Sequence, residues 1–269
     1  MRILIARSKW DMPDEPLESF LRKIKESGFD ASDIHLPTVP EPPDEIARLH
    51  KELGLELVGM IAPDGKTPQD HLRSLERLFP LAASSHPLRI NCHTGKDYFS
   101  LHENLALFKR GQELSAEYGI PISHETHRGR ATFSTISTRD LLNAFPEIRL
   151  TADFSHWCCV HESLLADQEE SVELAIKHSD YIHARVGHIE GPQITDPRAP
   201  EWQQELEAHL NWWIKIVDAR RLDGMAQLVI CPEFGPAPYM PQLPFTRQPV
   251  ANLGKIVLYM KDLIREKLM

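Results

Sequence analysis

Residues 120–125 read Ile-Pro-Ile-Ser-His-Glu, and residues 148–153 read Ile-Arg-Leu-Thr-Ala-Asp. Two further segments have the same character: residues 181–183 read Tyr-Ile-His, and residues 228–233 read Leu-Val-Ile-Cys-Pro-Glu. In each segment an apolar run typical of a buried parallel strand ends in a polar residue. The four polar residues converge if the strands close into a barrel, because the C-terminal ends of barrel strands share one face.

Similar apolar runs recur along the chain and alternate with helical patterns. The predicted strands are Arg2–Ala6, Ala31–Leu36, Leu55–Ile61, Leu88–Cys92, Pro121–Glu125, Arg149–Asp153, Tyr181–Ala184 and Gln227–Cys231. The predicted helices are Leu17–Lys25, Asp44–Leu53, Pro68–Ala82, Leu101–Tyr118, Thr138–Ala144, Ser171–His178, Trp202–Ala219 and Val250–Lys267. This alternation predicts an α/β protein, a single (β/α)8 TIM barrel over residues 1–269, since about 250 residues is usual for that fold.

The main alternative architecture is a doubly wound open sheet, which binds ligands at a switch point near few strands. Candidate functional residues here end four strands, and this favours the closed barrel. Two connections are long, Gly187–Glu201 and Phe234–Pro249, and the second is rich in proline. In a barrel both lie on the C-terminal face, so we expect them to cover a site there.

Composition limits the classes of function. Hydrophobic residues make up 42% and charged residues 26% of the chain, as in ordinary globular proteins. A net charge of −9 argues against a nucleic-acid partner, because a duplex binder needs a positive field. No apolar stretch is long enough to span a membrane, and no signal-like core precedes the first strand. The four cysteines have no zinc-like spacing and are expected to be reduced, which indicates a cytoplasmic protein.

Glu125, Asp153, His183 and Glu233 form a set typical of a divalent-metal site. Three buried carboxylates without a metal or another cation would repel one another, and burial of each would be costly. Oxygen ligands with one imidazole favour Mn²⁺, Zn²⁺ or Co²⁺, with Mg²⁺ also compatible. The set therefore predicts one divalent ion held by four protein ligands, with positions left open for oxygens of a substrate.

Three further residues are candidates for the same site, and two of them lie close to the predicted ligands in sequence. His156 comes three residues after Asp153; it would bind a substrate hydroxyl or a second metal, or fill a structural role. Arg185 follows His183 by two residues, on the same face of a strand. It would offer a cation beside the metal or pair with a ligand carboxylate. His93 ends the fourth predicted strand and is a candidate for the rim of the site.

A basic loop follows Glu125 directly. It contains His127, Arg128 and Arg130. Such a loop suits a carboxylate or phosphate on the substrate, although a solvated loop would have the same composition.

Together these segments resemble the xylose-isomerase-like TIM-barrel superfamily, which includes sugar isomerases and epimerases, inosose and dehydroshikimate dehydratases, and endonuclease IV. The resemblance rests on His-Glu-Thr-His at 124–127, Ala-Asp-Phe-Ser-His-Trp at 152–157, Ile-His-Ala-Arg at 182–185 and Cys-Pro-Glu-Phe-Gly at 231–235. It implies a metal-dependent isomerase or epimerase acting through a metal-stabilised enediolate on a carbohydrate-like small molecule. It also implies a homo-oligomer, since members often form dimers or tetramers.

The resemblance further implies roles for individual residues. Glu125 and Glu233 would be the acid/base pair as well as metal ligands, and His156 would contact substrate oxygens. The chain departs from the epimerases, which usually carry a glutamate where Ala131 stands and an arginine where Ile189 stands. A dehydratase on the same scaffold therefore remains an alternative, followed by an endonuclease IV-like phosphodiesterase and by an inert barrel that binds a ligand.

Overall fold

The computed structural model describes residues 1–269, whose eight parallel strands close into a barrel. The strands are β1 (Arg2–Ser8), β2 (Ala31–His35), β3 (Glu56–Ile61), β4 (Arg89–Cys92), β5 (Ile122–Glu125), β6 (Leu150–Ala152), β7 (Ser179–His183) and β8 (Gln227–Cys231). Each strand pairs with the next, and β1 pairs with β8, with Arg2 opposite Gln227. This closure confirms the predicted barrel and excludes the open sheet.

Nine helices surround or cap the barrel. They are α1 (Leu17–Glu26), α2 (Pro43–Leu53), α3 (Pro68–Ala83), α4 (Leu101–Tyr118), α5 (Thr135–Ala144), α6 (Ser155–His161), α7 (Glu169–His178), α8 (Gln203–Leu222) and α9 (Leu253–Leu268). All eight predicted helices are present; α4 has the predicted bounds, and the other seven have shifted ends. The prediction missed α6, because its 7 residues are too few to give a periodic pattern. None of the helices is both long and apolar enough to cross a membrane.

The alternation of side chains along each strand creates two apolar layers. In β1, Leu4 and Ala6 point into the barrel and belong to a small cluster of 7 buried residues. Ile3 and Ile5 point outwards into a cluster of 55 buried residues between strands and helices. Because strand side chains alternate with a period of two, this outer layer fixes which residues face the barrel interior.

An ion pair fills the N-terminal end of the barrel. The Arg89 guanidinium lies 2.7 Å from Asp180 Oδ2, and the Ser123 hydroxyl donates to Asp180 Oδ1 at 2.7 Å. These residues belong to β4, β7 and β5, so the contacts cross the barrel interior. This buried ion pair occupies the interior at the N-terminal end, and the larger cavity lies at the opposite, C-terminal end.

The two long connections contact each other at the C-terminal end of the barrel, and only the second lines the cavity. The Gln193 side chain donates to the Gly235 carbonyl at 3.1 Å, and the Gly235 N–H donates back to the Gln193 side-chain oxygen at 2.7 Å. Gln193 follows β7 and Gly235 follows β8, so this pair of hydrogen bonds joins one connection to the other. Tyr239, in the second connection, contributes to the wall of the cavity described below.

Candidate metal centre

The four predicted ligands meet at the C-terminal end of the barrel. Glu125 ends β5, Asp153 follows β6, His183 ends β7 and Glu233 comes shortly after β8. One ligand atom from each lies within 4.8 Å of the others, so the group could hold a metal ion. Glu125, Asp153 and His183 are buried, and the Glu233 side chain is 12% exposed. The parallel barrel brings them together because every strand delivers its last residues to the same face.

The hydrogen bonds of His183 leave one ring nitrogen free for a metal. Its Nε2 lies 3.3 Å from Asp33 Oδ2, while its Nδ1 has no hydrogen bond of good geometry. Nδ1 instead lies 2.9 Å from Glu233 Oε2 and 3.4 Å from Glu125 Oε2. A histidine that ligates a metal through one nitrogen commonly donates the other N–H to a carboxylate. The donor set therefore fits a divalent cation bound at Nδ1.

The electrostatics of the group also fit a cation. Burial raises the pKa of Asp153 to about 6, although Arg185 opposes the shift. Burial alone would lower the pKa of His183, but Glu233 and Glu125 hold that pKa well above its usual value. Burial would also raise the pKa of Glu125, yet the neighbouring imidazoles of His93 and His183 keep it well below its usual value. The shift of Asp153 reflects the cost of burying a negative charge, and the shifts of His183 and Glu125 reflect attraction between buried opposite charges.

Arg185 supplies part of that positive charge. One guanidinium nitrogen lies 2.7 Å from Asp153 Oδ2 and also contacts Glu233. The guanidinium packs against two aromatic rings, with its carbon 4.8 Å from the Tyr239 ring centre and 5.4 Å from that of Trp10. Its Nη1 is buried and has no partner. β7 ends at His183, two residues before Arg185. The two side chains nevertheless lie on the same side, as predicted, because both contact Glu233. Arg185 therefore pairs with carboxylates of the predicted ligand set.

Three histidines form a row beside Glu125. His93 Nε2 lies 2.9 Å from Glu125 Oε2, and the His93 and His127 rings are 4.6 Å apart. The His127 ring is in turn 3.9 Å from that of His156. His156 is fully buried in α6, and neither ring nitrogen has a hydrogen-bond partner. His156 lies in the first turn of this short helix, which begins directly after Asp153 and Phe154.

His93, Glu125 and His127 also form a second group that could hold a metal. In the structure Glu125 Oε2 is already contacted by His93 and accepts a hydrogen bond from the Asn91 amide at 2.6 Å. His127 Nδ1 faces the Arg128 carbonyl oxygen at 2.5 Å. These contacts hold the second group together without an ion, and we therefore place the metal site on the first group.

The two arginines of the predicted basic loop lie outside the cavity wall. Arg128 is exposed, with its guanidinium carbon 5.2 Å from the centre of the Tyr239 ring. Arg130 is half-buried and donates to the Pro63 carbonyl at 3.1 Å. His127 does line the cavity. The loop therefore brings an imidazole to the site, while its arginines are occupied elsewhere.

A cavity of about 790 Å³ opens above Glu125 and Glu233. Its wall also contains the charged, imidazole and aromatic side chains of Lys9, Asp14, Glu15, Asp33, Glu41, Arg185, His35, His93, His127, Trp10 and Tyr239. The volume lies within the range of about 300–1,000 Å³ that is usual for small-molecule sites.

Four residues at this site were not predicted from the sequence: Asp33, Asn91, Trp10 and Tyr239. The sequence contains a pattern that could have indicated the first two. Asp33 and Asn91 are polar residues inside apolar strand segments, where a buried polar side chain needs a partner. The Tyr181 hydroxyl also donates to Asp33. Trp10 follows β1 and Tyr239 lies in the proline-rich connection. Neither position has a local pattern that indicates a ligand wall.

The chain matches no protein-family model and no curated protein. Its structure is similar to that of a xylose isomerase-like TIM barrel protein from Mycobacterium smegmatis in complex with magnesium (13% identity, 98% of this chain and 96% of that chain, TM-score 0.64). It is similar to 3-keto-D-glucoside 4-epimerase YcjR from E. coli (15% identity, 98% and 100%, TM-score 0.62). It is also similar to the probable 3-DHS dehydratase AsbF from Bacillus anthracis (14% identity, 99% and 99%, TM-score 0.62). The chain therefore has the fold of the xylose isomerase-like TIM barrel proteins.

Proposed function

We propose that the protein is a divalent-metal-dependent isomerase or epimerase that acts on a sugar or a related polyhydroxy compound. The observation that carries the proposal is the convergence of Glu125, Asp153, His183 and Glu233 beneath a cavity, with His183 Nδ1 unpaired among carboxylates. One imidazole among oxygen ligands favours Mn²⁺, Zn²⁺ or Co²⁺. Mg²⁺ is a further candidate, because a structural neighbour is in complex with magnesium.

A divalent ion bound here would polarise a substrate carbonyl and stabilise the negative charge that develops on it. The protein residues would then move the proton. Glu125 and Glu233 come from β5 and from the end of β8, so their carboxylates approach the cavity from different strands. One would remove the proton on the carbon next to the carbonyl, and the other would return a proton.

The neighbours of each glutamate suit this role. The Asn91 amide and His93 hold Glu125, and Arg185 holds Glu233. Burial would raise the pKa of Glu233, but His183 and Arg185 lower it, so the carboxylate is ionised near neutral pH and available as a base. The fixed partners restrict each carboxylate to one orientation, which proton transfer requires.

A dehydratase on the same site is the second candidate. The His127 and His156 rings lie side by side at the edge of the cluster. A histidine beside a substrate hydroxyl could assist its departure as water. The similarity to AsbF gives this alternative a structural precedent. An endonuclease IV-like activity has less support, because the cavity wall is rich in carboxylates that repel a phosphodiester.

Solvent exchange tests the proposal. The metal-loaded protein is incubated in D₂O with a panel of ketoses, inososes and hydroxy acids, and deuterium incorporation is followed by NMR. We expect exchange at the carbon beside a carbonyl, with a rearranged sugar for an isomerase or a dehydrated product for a dehydratase. Glu233→Gln should abolish exchange, whereas Glu190→Gln, an exposed control on the connection after β7, should not. Exchange at the wild-type rate in Glu233→Gln would contradict the proposal.

A further inference from the structure

The cavity wall carries much more negative than positive charge. Beyond Glu125 and Glu233 it contains four other carboxylates, those of Asp14, Glu15, Asp33 and Glu41. Glu15 is paired with Lys23, outside the wall, at 2.7 Å. Glu41 Oε2 is buried without a hydrogen-bond partner. Asp33 lies behind His183 and accepts a hydrogen bond from the Tyr181 hydroxyl, so Asp14, Glu15 and Glu41 are the carboxylates that an incoming anion would meet first.

The cations on the wall are already occupied. The Lys9 ammonium donates to the carbonyls of Met12 at 2.7 Å and Pro13 at 3.1 Å. The charge of Arg185 is balanced by Asp153 and Glu233, which leaves Nη1 as a free hydrogen-bond donor. His35 is a further imidazole on the wall, and an imidazole offers a hydrogen bond more readily than a fixed charge at neutral pH.

Aromatic rings form another part of the wall. Trp10 and Tyr239 meet edge to face with ring centres 5.0 Å apart. The indole lies so close to Gly235 that a Cβ there would fall 1.9 Å from Trp10 Cη2, so only glycine allows this arrangement. Flat apolar rings pack against the C–H face of a sugar, and carboxylates accept hydrogen bonds from its hydroxyls.

From this wall we infer that the substrate is an uncharged polyhydroxy compound, a free sugar or a glycoside, rather than a sugar phosphate or a sugar acid. The inference rests on the proposed function, because it names the substrate class of the same site. A phosphate group brings about −1.5 to −2 charges at neutral pH, and on this wall it would meet the carboxylates of Asp14 and Glu41. The Lys9 ammonium is already hydrogen-bonded to two carbonyl oxygens, and the charge of Arg185 is already balanced by two carboxylates. A neutral sugar uses the same carboxylates as hydrogen-bond acceptors.

Matched ligand pairs test the inference on the metal-loaded protein. Calorimetry and tryptophan fluorescence would compare D-fructose with D-fructose 6-phosphate, D-glucose with D-glucose 6-phosphate, and D-glucose with D-gluconate. In every pair for which binding is detected, we expect the neutral compound to bind at least about tenfold more tightly than the charged one. A charged member that binds as tightly as its neutral partner would overturn the inference. Failure of every neutral sugar to bind up to its solubility limit would overturn it as well.

Charge reversal provides a second test. Glu41→Lys should narrow the preference for D-fructose over its phosphate by several-fold, and Glu26→Lys, at the exposed end of α1, should leave it unchanged. If the two variants changed this preference equally, the charge of the cavity wall would have no role in selecting the neutral sugar. Deuterium exchange into a sugar phosphate would overturn this inference and keep the proposed function. Binding of neutral sugars without deuterium exchange into any of them would overturn the proposed function and keep the inference that the site selects neutral sugars.

Discussion

Replacement of Asp33 by Asn is expected to weaken metal binding by about 10- to 100-fold and to leave the barrel intact. The Asp33 carboxylate lies behind His183, with Oδ2 at 3.3 Å from Nε2, and it also accepts a hydrogen bond from the Tyr181 hydroxyl. Asn preserves the size of the side chain. Its neutral oxygen is a weaker acceptor, so the imidazole becomes less basic and less firmly oriented. The expected loss corresponds to about 1.4–2.7 kcal/mol of binding free energy.

The assay is titration calorimetry of the chelator-stripped protein with Mn²⁺ or Zn²⁺. Tyr181→Phe is the matched control, because it removes the other partner of Asp33 and keeps the carboxylate. We expect a much smaller loss of affinity for this control. The melting temperature in excess metal should fall in Asp33→Asn, since less binding energy stabilises the folded state. Wild-type affinity in Asp33→Asn would refute the view that Asp33 orients a metal-ligating histidine.

Three further predictions concern the metal ligand Asp153, the cation Arg185 and the buried histidines of the barrel. Asp153→Asn should lower metal affinity at least about tenfold and reduce the rise in melting temperature on adding metal; an unchanged rise would mean that Asp153 is no ligand. Arg185→Met should destabilise the stripped protein by about 3–5 kcal/mol, because two buried carboxylates lose their cation, and added metal should recover part of this loss; equal stability of variant and wild type in denaturant melts would contradict the pairing. Burial lowers the pKa of His124 to about 3 and that of His209 to about 4. The unfolded chain therefore protonates these histidines near pH 6.5, whereas the folded chain does not. The free energy of unfolding should fall by about 2 kcal/mol per histidine between pH 7 and pH 5, and a constant value over this range would contradict the prediction.

The fold could be predicted from the sequence because each strand carries its own signal. Apolar runs such as Leu228–Cys231 end abruptly in polar residues, and glycines such as Gly54 and Gly119 stand at helix C-termini in the left-handed conformation. Because these runs end near Glu125, Asp153, His183 and Glu233, the four residues are predicted to lie on the C-terminal face of the barrel. The geometry of a closed parallel barrel needs no further information to bring them together.

The rest of the site depends on contacts between distant parts of the chain. Asp33 is 150 residues from His183, and no local pattern links the two. Trp10 owes its position to Gly235 in a different connection. Arg128 belongs to a stretch that is basic in sequence, yet its side chain lies over Tyr239 outside the cavity wall. Side-chain direction in loops is set by such packing, and periodicity carries no information about it.

The metal content of the purified protein tests the central claim most directly. Mass spectrometry before and after chelation, with a melting curve at each stage, would count the bound ions and measure their effect on stability. The four-ligand site predicts about one divalent ion per chain and a lower melting temperature once it is removed. No bound metal, together with no response of the melting temperature to added Mn²⁺, Zn²⁺, Co²⁺ or Mg²⁺, would contradict the claim.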